Sequence, residues 1–217
     1  MDSAEIESKH LKLNEKKWDR WAESLDNENW RTRFLRDGQR KVIAVVDLKE
    51  GANFLDIGCG TGWAVHLAAE SVSNNGTFYG VDLSSKMVEK AKENFRGREN
   101  FHFVQADSGS IPLDSDFFDV VICTNSFHHY LHPEKVMAEI NRLLKSGGKV
   151  YILDPTADTW FGKIFDWMGR ITEHAHVKMY STEEFRNMFT DSGFKYIRTE
   201  VVRSLEKIHI AEKRARV

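Results

Sequence analysis

The stretch "NFLDIGCGTGWAVHLA", Asn53 to Ala68, constrains this chain more than any other. Asn53 to Ile57 read as a strand, glycines stand at 58, 60 and 62, and a helical pattern starts at Trp63. A strand that runs directly into a helix leaves backbone N–H groups pointing outward, and glycines there remove the side chains that would hold a ligand off. Such a turn binds something closely. A dinucleotide turn spaces its glycines as G-x-G-x-x-G, the third one letting the helix pack against the strand. The position of that third glycine is occupied here by Trp63; the spacing is G-x-G-x-G, and Asp56 precedes the first glycine by two residues.

The alternation of strand and helix continues downstream. "TFYGVDL", a helix from Ser85, "FHFVQA", "FFDVVICT", a helix from Pro133 and "GKVYILDP" follow in turn. Short apolar runs separated by helical patterns indicate βαβ units and a mostly parallel, open, doubly wound α/β sheet. Asn74-Asn75-Gly76 and Ser146-Gly147-Gly148 fall where helices should stop and strands begin. Ahead of the first strand, residues 1–50 carry two helical segments, around Lys16 to Glu23 and from Trp30 to about Leu48. Beyond Asp154-Pro155 the texture changes to "TADTWFGKIFDWMGRITEHAHVKMY", an insertion over 155–180; residues 181–217 then supply a helix from Ser181 and two strand-like runs, "FKYIRTEVV" and "LEKIHIAE". At 217 residues the chain suits one domain, with 52–154 as its ligand-binding core.

"LDIGCGTG" resembles the first motif of class I S-adenosylmethionine-dependent methyltransferases, and the later strands agree. "YGVDLS" puts Asp82 twenty residues after Gly62, where a carboxylate can accept bonds from two ribose hydroxyls. "VQADSGSIPL" puts Asp107 where the family recognises the adenine amino group, although an aspartate before Ser-Gly also holds turns. "FFDVVICTNSFHHY" resembles the fourth strand and the loop facing the transferred methyl, and "EINRLLKSGGKVYILDP" the following helix and strand. The likeness spans about residues 52–154 and is strongest to the small-molecule branch that includes quinone-biosynthesis methyltransferases.

That resemblance implies a Rossmann-like seven-stranded sheet in the order 3-2-1-4-5-7-6, the last strand antiparallel, with helices on both faces. It implies S-adenosylmethionine as cofactor and S-adenosylhomocysteine as its product. The implied cofactor contacts come from Asp56, Gly58, Cys59, Gly60 and Gly62, from Asp82, Leu83 and Met87, from Ala106, Asp107 and Ser108, from Asn125, and from Trp18. Trp18 and Trp21 resemble the family's aromatic segment that folds over the cofactor; core packing is the competing reading.

Methyl transfer from a sulfonium needs an acceptor held in line in a dry site, so positioning is the main catalytic device. An acidic carbon or hydroxyl acceptor also needs a base, and histidine suits that task. His128 and His129, just past the fourth strand, are the catalytic candidates, against the alternative that they satisfy local hydrogen bonds; His174 and His176 in the insertion are the others. "NSFHHY" lacks the polar-Pro-Pro-aromatic motif of nucleobase amino-methyltransferases. In "TWFGKIFDWMGRI", Trp160, Ile164, Trp167, Met168 and Ile171 fall on one helical face with Phe161 and Phe165 beside it. A core helix is the first reading; a cover for an apolar acceptor or a contact with membrane lipid is the second.

A formal net charge of -2 gives no reason to expect nucleic acid. Two cysteines, Cys59 and Cys123, argue against a disulfide framework or a cysteine-based zinc site, and no metal is expected. No apolar stretch approaches the roughly 20 residues of a membrane span, and the charged start does not read as a signal peptide. The expectation is a cytoplasmic enzyme, monomer or homodimer, acting on a small molecule that is apolar or aromatic. The rivals are a SAM-binding scaffold without catalysis and an NAD-dependent oxidoreductase.

Overall fold

The alternation is realised as a seven-stranded sheet in the computed structural model, which describes residues 3–25, 27, 29–173 and 175–215. The strands are β1 (Ala52–Ile57), β2 (Gly76–Asp82), β3 (Phe101–Gln105), β4 (Phe118–Thr124), β5 (Leu144–Pro155), β6 (Phe194–Arg203) and β7 (Glu206–Lys213), in the spatial order β3-β2-β1-β4-β5-β7-β6. β1 to β5 pair in parallel, and β7 runs antiparallel to both neighbours. The order reverses between β1 and β4, and a crevice at the carboxyl ends of strands around such a reversal is where open α/β sheets bind ligands.

Central strands are apolar on both faces because both are covered. Phe54, Val120 and Ile122 face α2 (Trp30–Val45), α3 (Trp63–Ser71) and α4 (Ser85–Asn94). Leu55, Ile57 and Val121 face α5 (Pro133–Leu143) and α7 (Thr182–Asp191). Capping sets several helix starts: Asn29 and Thr32 bond reciprocally at α2, Ser84 accepts from Met87 N at α4, and Ser181 with Glu184 closes a capping box at α7. Ser146-Gly147-Gly148 form a bulge within the start of β5 and not a turn ahead of it, with Gly147 at φ +78 and the β4–β5 register shifted between Phe118 and Val120.

Two helices depart from the sequence expectation. The first, α1 (Ser3–Leu25), is far longer than the periodicity over Lys16 to Glu23 suggests. Long-range polar contacts hold it: Lys135 Nζ donates to Glu7 (2.8 Å), Gln105 Nε2 to Glu15 (3.1 Å), Ser84 Oγ to Asp19 (2.5 Å) and Lys90 Nζ to the Ala22 carbonyl (3.1 Å). α1 therefore lies across the carboxyl ends of the strands. The second departure is α6 (Trp160–Thr172), which is no core helix: its large apolar side chains, from Ile164 to Trp167, are 43–64% exposed, while Gly162 and Asp166 face inward. Its apolar periodicity is real, but the approach of its backbone to β5 decides the orientation, since a Cβ on Gly162 would lie 2.2 Å from the Thr156 carbonyl oxygen.

Candidate active site

The three turn glycines have left-handed backbones, at φ +77, +53 and +89 for Gly58, Gly60 and Gly62. Gly58 N and Cys59 N both donate to the Val81 carbonyl, at 2.8 and 3.0 Å, which ties the turn to β2. A Cβ on Gly58 would stand 2.4 Å from Ser126 Oγ, so this glycine admits the loop after β4; one on Gly62 would stand 2.8 Å from the Phe95 ring, so this one admits helix α4's end. Among the described residues Gly60 has Leu25 of α1 above it, at 3.7 Å, and its N–H donates to Asp82 Oδ2 at 2.8 Å.

Above the turn lies a cavity of about 570 Å³, within the range of roughly 300–1,000 Å³ usual for small-molecule sites. Gly58, Cys59, Gly60, Asp82, Leu83, Met87, Ala106, Asp107, Ser108, Asn125, Trp18, His128 and His129 all line it. Asp56 and Gly62 do not, and sit behind the wall. Asp82 Oδ1 accepts from Ser84 N at 2.9 Å; burial pushes its carboxyl up, and these backbone N–H groups pull the other way. With Leu83 N as a third donor, the carboxylate's roughly four acceptor sites are not all filled. Asp107 Oδ1 accepts from Gly109 N at 3.0 Å, so the turn-holding role is real, and the residue still reaches the cavity. Asp56 is wholly buried with neither oxygen hydrogen-bonded, and burial, with Asp82 adding repulsion, pushes its pKa up to about 8.

α1 roofs this chamber. Trp18 packs edge-on against Trp21 (5.7 Å between centroids) and against His129 (5.0 Å). Lys17 lies over the Trp18 ring at 4.3 Å and pairs with Glu173. Trp18 thus lines the cavity and also packs against its neighbours.

At the other end, β4 delivers Asn125, whose φ of +52 is strained for a residue with a side chain and whose buried Nδ2 lies beside Glu206. A 3-10 turn over Phe127–His129 follows. His128 Nδ1 hydrogen-bonds Asp154 Oδ1, whose carboxyl burial pushes well above its usual range, and His129 Nδ1 donates to the Ala175 carbonyl, both at 2.9 Å. Burial, with His176 next in effect, pulls the His128 pKa down to about 3; burial and then His128 hold His129 well below its usual range. Both rings are neutral at working pH, so as they stand they are weak bases. Val177 N and Lys178 N donate to the His128 carbonyl, at 3.0 and 3.2 Å, which brings His176 alongside; His174 lies outside the described residues.

Some cavity residues gave no clear signal in the sequence. Trp63 Nε1 is buried without a partner, and Arg36 of α2 lies 4.5 Å over its ring. The i, i+3 spacing of Arg36 and Gln39 on α2 is the one hint, since both line the cavity from the same helix face.

A doubly wound sheet of this order with a G-x-G-x-G turn at its switch point and an acid at the end of the next strand is the architecture of the class I methyltransferases. A family model described as a methyltransferase domain matches residues 48–196. Demethylmenaquinone methyltransferases from strains of Staphylococcus aureus are 30% identical, aligning 84% of this chain with 82% of theirs. The methyltransferase chain in a complex with the Haloferax volcanii Trm112 methyltransferase activator has a TM-score of 0.81 at 19% identity, over 94% of this chain and 98% of that one. A SAM-dependent methyltransferase from Aquifex aeolicus has a TM-score of 0.71 at 24% identity, over 89% and 97%. This chain belongs to the class I S-adenosylmethionine-dependent methyltransferase family. It is an enzyme with S-adenosylmethionine as its cofactor, and neither the oxidoreductase nor the inert scaffold describes it.

The residues present fit that cofactor. It brings an ammonium, a carboxylate, a ribose diol and an adenine, and the cavity offers an orphaned buried Asp56 carboxyl behind the turn, an unpartnered Trp63 N–H with Arg36 beside it, and acceptor sites on Asp82 that are not all filled. Among the described residues no helix is long and apolar enough to cross a membrane.

Proposed function

We propose that this enzyme methylates a small apolar acceptor with a ring hydroxyl or an acidic ring carbon, of the quinol class, taken from a membrane surface. The observation that carries this reading is α6, which presents a continuous face of exposed large side chains beside the histidine end of the cavity. Trp160 and Phe161 stack at 3.5 Å within that face, and Trp167 and Ile171 extend it. A helix with a broad apolar face, flanked here by Lys163 and Arg170, suits the boundary between headgroups and acyl chains. The relatives named demethylmenaquinone methyltransferases act, by their name, on a quinone.

When bound, S-adenosylmethionine supplies a methyl carbon made electrophilic by its sulfonium. The chain's residues do the rest. Asp82 accepts the ribose hydroxyls while Gly60 N and Ser84 N fix its carboxylate, and Asp107 with Ala106 and Ser108 receives the adenine. Asp56, turned ionic by a nearby ammonium, holds the amino end from beneath Gly58 and Cys59, and Leu83 and Met87 pack on the sugar and base. Trp18 closes the roof and excludes water. Asn125, His128 and His129 orient the acceptor, which places its nucleophilic atom in line with the methyl.

The test is S-adenosylhomocysteine release with a panel of acceptors: a demethylated naphthoquinol in anionic vesicles, a water-soluble catechol, a free amine, and a protein substrate. Turnover is expected with the quinol and, more weakly, the catechol. Turnover confined to the amine or the protein contradicts the proposal.

A further inference from the structure

Three histidines from two separate segments meet at the acceptor end of the cavity. His128 and His129 come from the 3-10 turn, His176 from the segment between α6 and α7, and one ring nitrogen of each lies within 4.8 Å of the others. One nitrogen of each ring is hydrogen-bonded, His128 Nδ1 with Asp154 Oδ1, His129 Nδ1 with the Ala175 carbonyl and His176 Nε2 with Asp166 Oδ1, each at 2.9 Å. A carbonyl can only accept, so His129 carries its proton on Nδ1 and has a lone pair on Nε2. Asp166 accepts also from Arg170 Nη2 (2.7 Å) and Met179 N (2.6 Å), which leaves it as an acceptor toward His176 Nε2 and turns His176 Nδ1 to the opposite side of the ring. His128 Nε2 is the ring nitrogen opposite its bond to Asp154.

Three ring nitrogens remain without a hydrogen bond among the described residues, and His128 and His129 line the cavity wall. Imidazoles each oriented by a carboxylate or carbonyl behind it are the arrangement that holds transition-metal ions. The second shell is itself built. The His176 ring rests on α6 where residue 169 is glycine, and a Cβ there would stand 2.7 Å from His176 Cδ2. Glu173 faces the rings with its partner Lys17, so the carboxylate offsets the one ammonium nearby.

The geometry points to a mononuclear site for a divalent first-row ion of the zinc or iron(II) type, held by His128 Nε2, His129 Nε2 and His176 Nδ1 and open toward the cavity. At metal–nitrogen distances of about 2.0–2.1 Å, tetrahedral ligands lie roughly 3.3 Å apart, so binding draws the rings together by up to about 1.5 Å. The open position takes an acceptor hydroxyl oxygen. Its proton leaves to solvent, the oxyanion binds the ion, and the metal's oxidation state does not change. That use rests on the quinol reading above; the site itself does not.

The test uses the full chain stripped with a chelator and titrated with Co2+ without any acceptor, reading the visible d–d bands, with S-adenosylhomocysteine affinity measured in parallel. One Co2+ per chain is expected, with bands that Zn2+ abolishes. His176→Gln should weaken binding at least about 100-fold and Asp166→Asn about 10-fold, as outer-sphere partners do. His102→Gln, on β3, should leave it unchanged. S-adenosylhomocysteine affinity should stay within about twofold in all of them, which also shows that they fold. Absence of one-to-one binding by the unaltered chain overturns the site, as does equal Co2+ affinity in His176→Gln; three histidines bridged by water alone would give either result. Specific Co2+ binding without quinol turnover would keep the site and sink the quinol reading.

Discussion

The two ends of one cavity are built by different means. At the donor end, a single continuous turn, Gly58 to Gly62, sets the geometry through backbone conformation, and Asp82 reaches back across one strand to Gly60 N. At the acceptor end nothing is local: His128 depends on Asp154, His129 on Ala175, and His176 on Asp166. A backbone-built site tolerates few substitutions and looks alike across a family. One built from long-range side-chain pairs can be re-specified by changing a segment such as 155–180.

The largest expected effect lies at the donor end. Asp82→Ala removes the ribose acceptor and the partner of two backbone N–H groups, and should weaken S-adenosylhomocysteine about 100-fold or more by calorimetry. Affinity within threefold of the unaltered enzyme would mean that the backbone alone defines this end. Next comes Gly62→Ala, with φ +89 and a Cβ against Phe95: about 2–3 kcal/mol of stability should be lost in urea unfolding. A loss below about 0.5 kcal/mol would remove the claim that backbone conformation sets the turn.

At the acceptor end, Trp167→Glu should reduce partition onto anionic vesicles by about tenfold while leaving cofactor affinity alone, because the exposed indole touches no part of the donor end. Loss of both would show that the two ends are not separable. The smallest effect belongs to a control outside either end. His209 is buried between β7 and α7, stacked on Phe185 at 4.1 Å, and burial pulls its pKa down to about 3. The unfolded chain takes up a proton below about 6.5 that the native state refuses, so stability is fully present above that pH and falls as pH drops toward 3, by up to about 1.4 kcal/mol per unit for this group. His209→Phe should flatten part of that slope between pH 7 and 5; an unchanged slope assigns it to the other buried histidines.

The same contrast governs how much the sequence reveals. Glycine spacing, Asp82 and the strand–helix alternation are legible because they encode backbone demands a few residues apart. α1 is only partly legible: its last turns carry Trp18, Trp21 and Ala22, while its first half is held by partners as distant as Lys135. For α6 periodicity names the apolar face correctly and assigns it to the wrong side, since the contact at Gly162 and the pull of His176 on Asp166 turn the polar residue inward. The histidine cluster could be nominated from residue type, but its shared geometry and the depressed basicity of His128 come from burial, which no local pattern carries.

The central claim is that the donor end is fixed by backbone and the acceptor end opens onto an apolar surface at α6. Turnover of unaltered enzyme and Trp167→Glu, each with a vesicle-embedded long-chain demethylated quinol and with its short-chain soluble analogue, tests this most directly. The account predicts that the variant loses most turnover of the embedded quinol and retains that of the soluble analogue. Equal turnover of both acceptors by the two enzymes, or no turnover of either acceptor by the unaltered one, would contradict it.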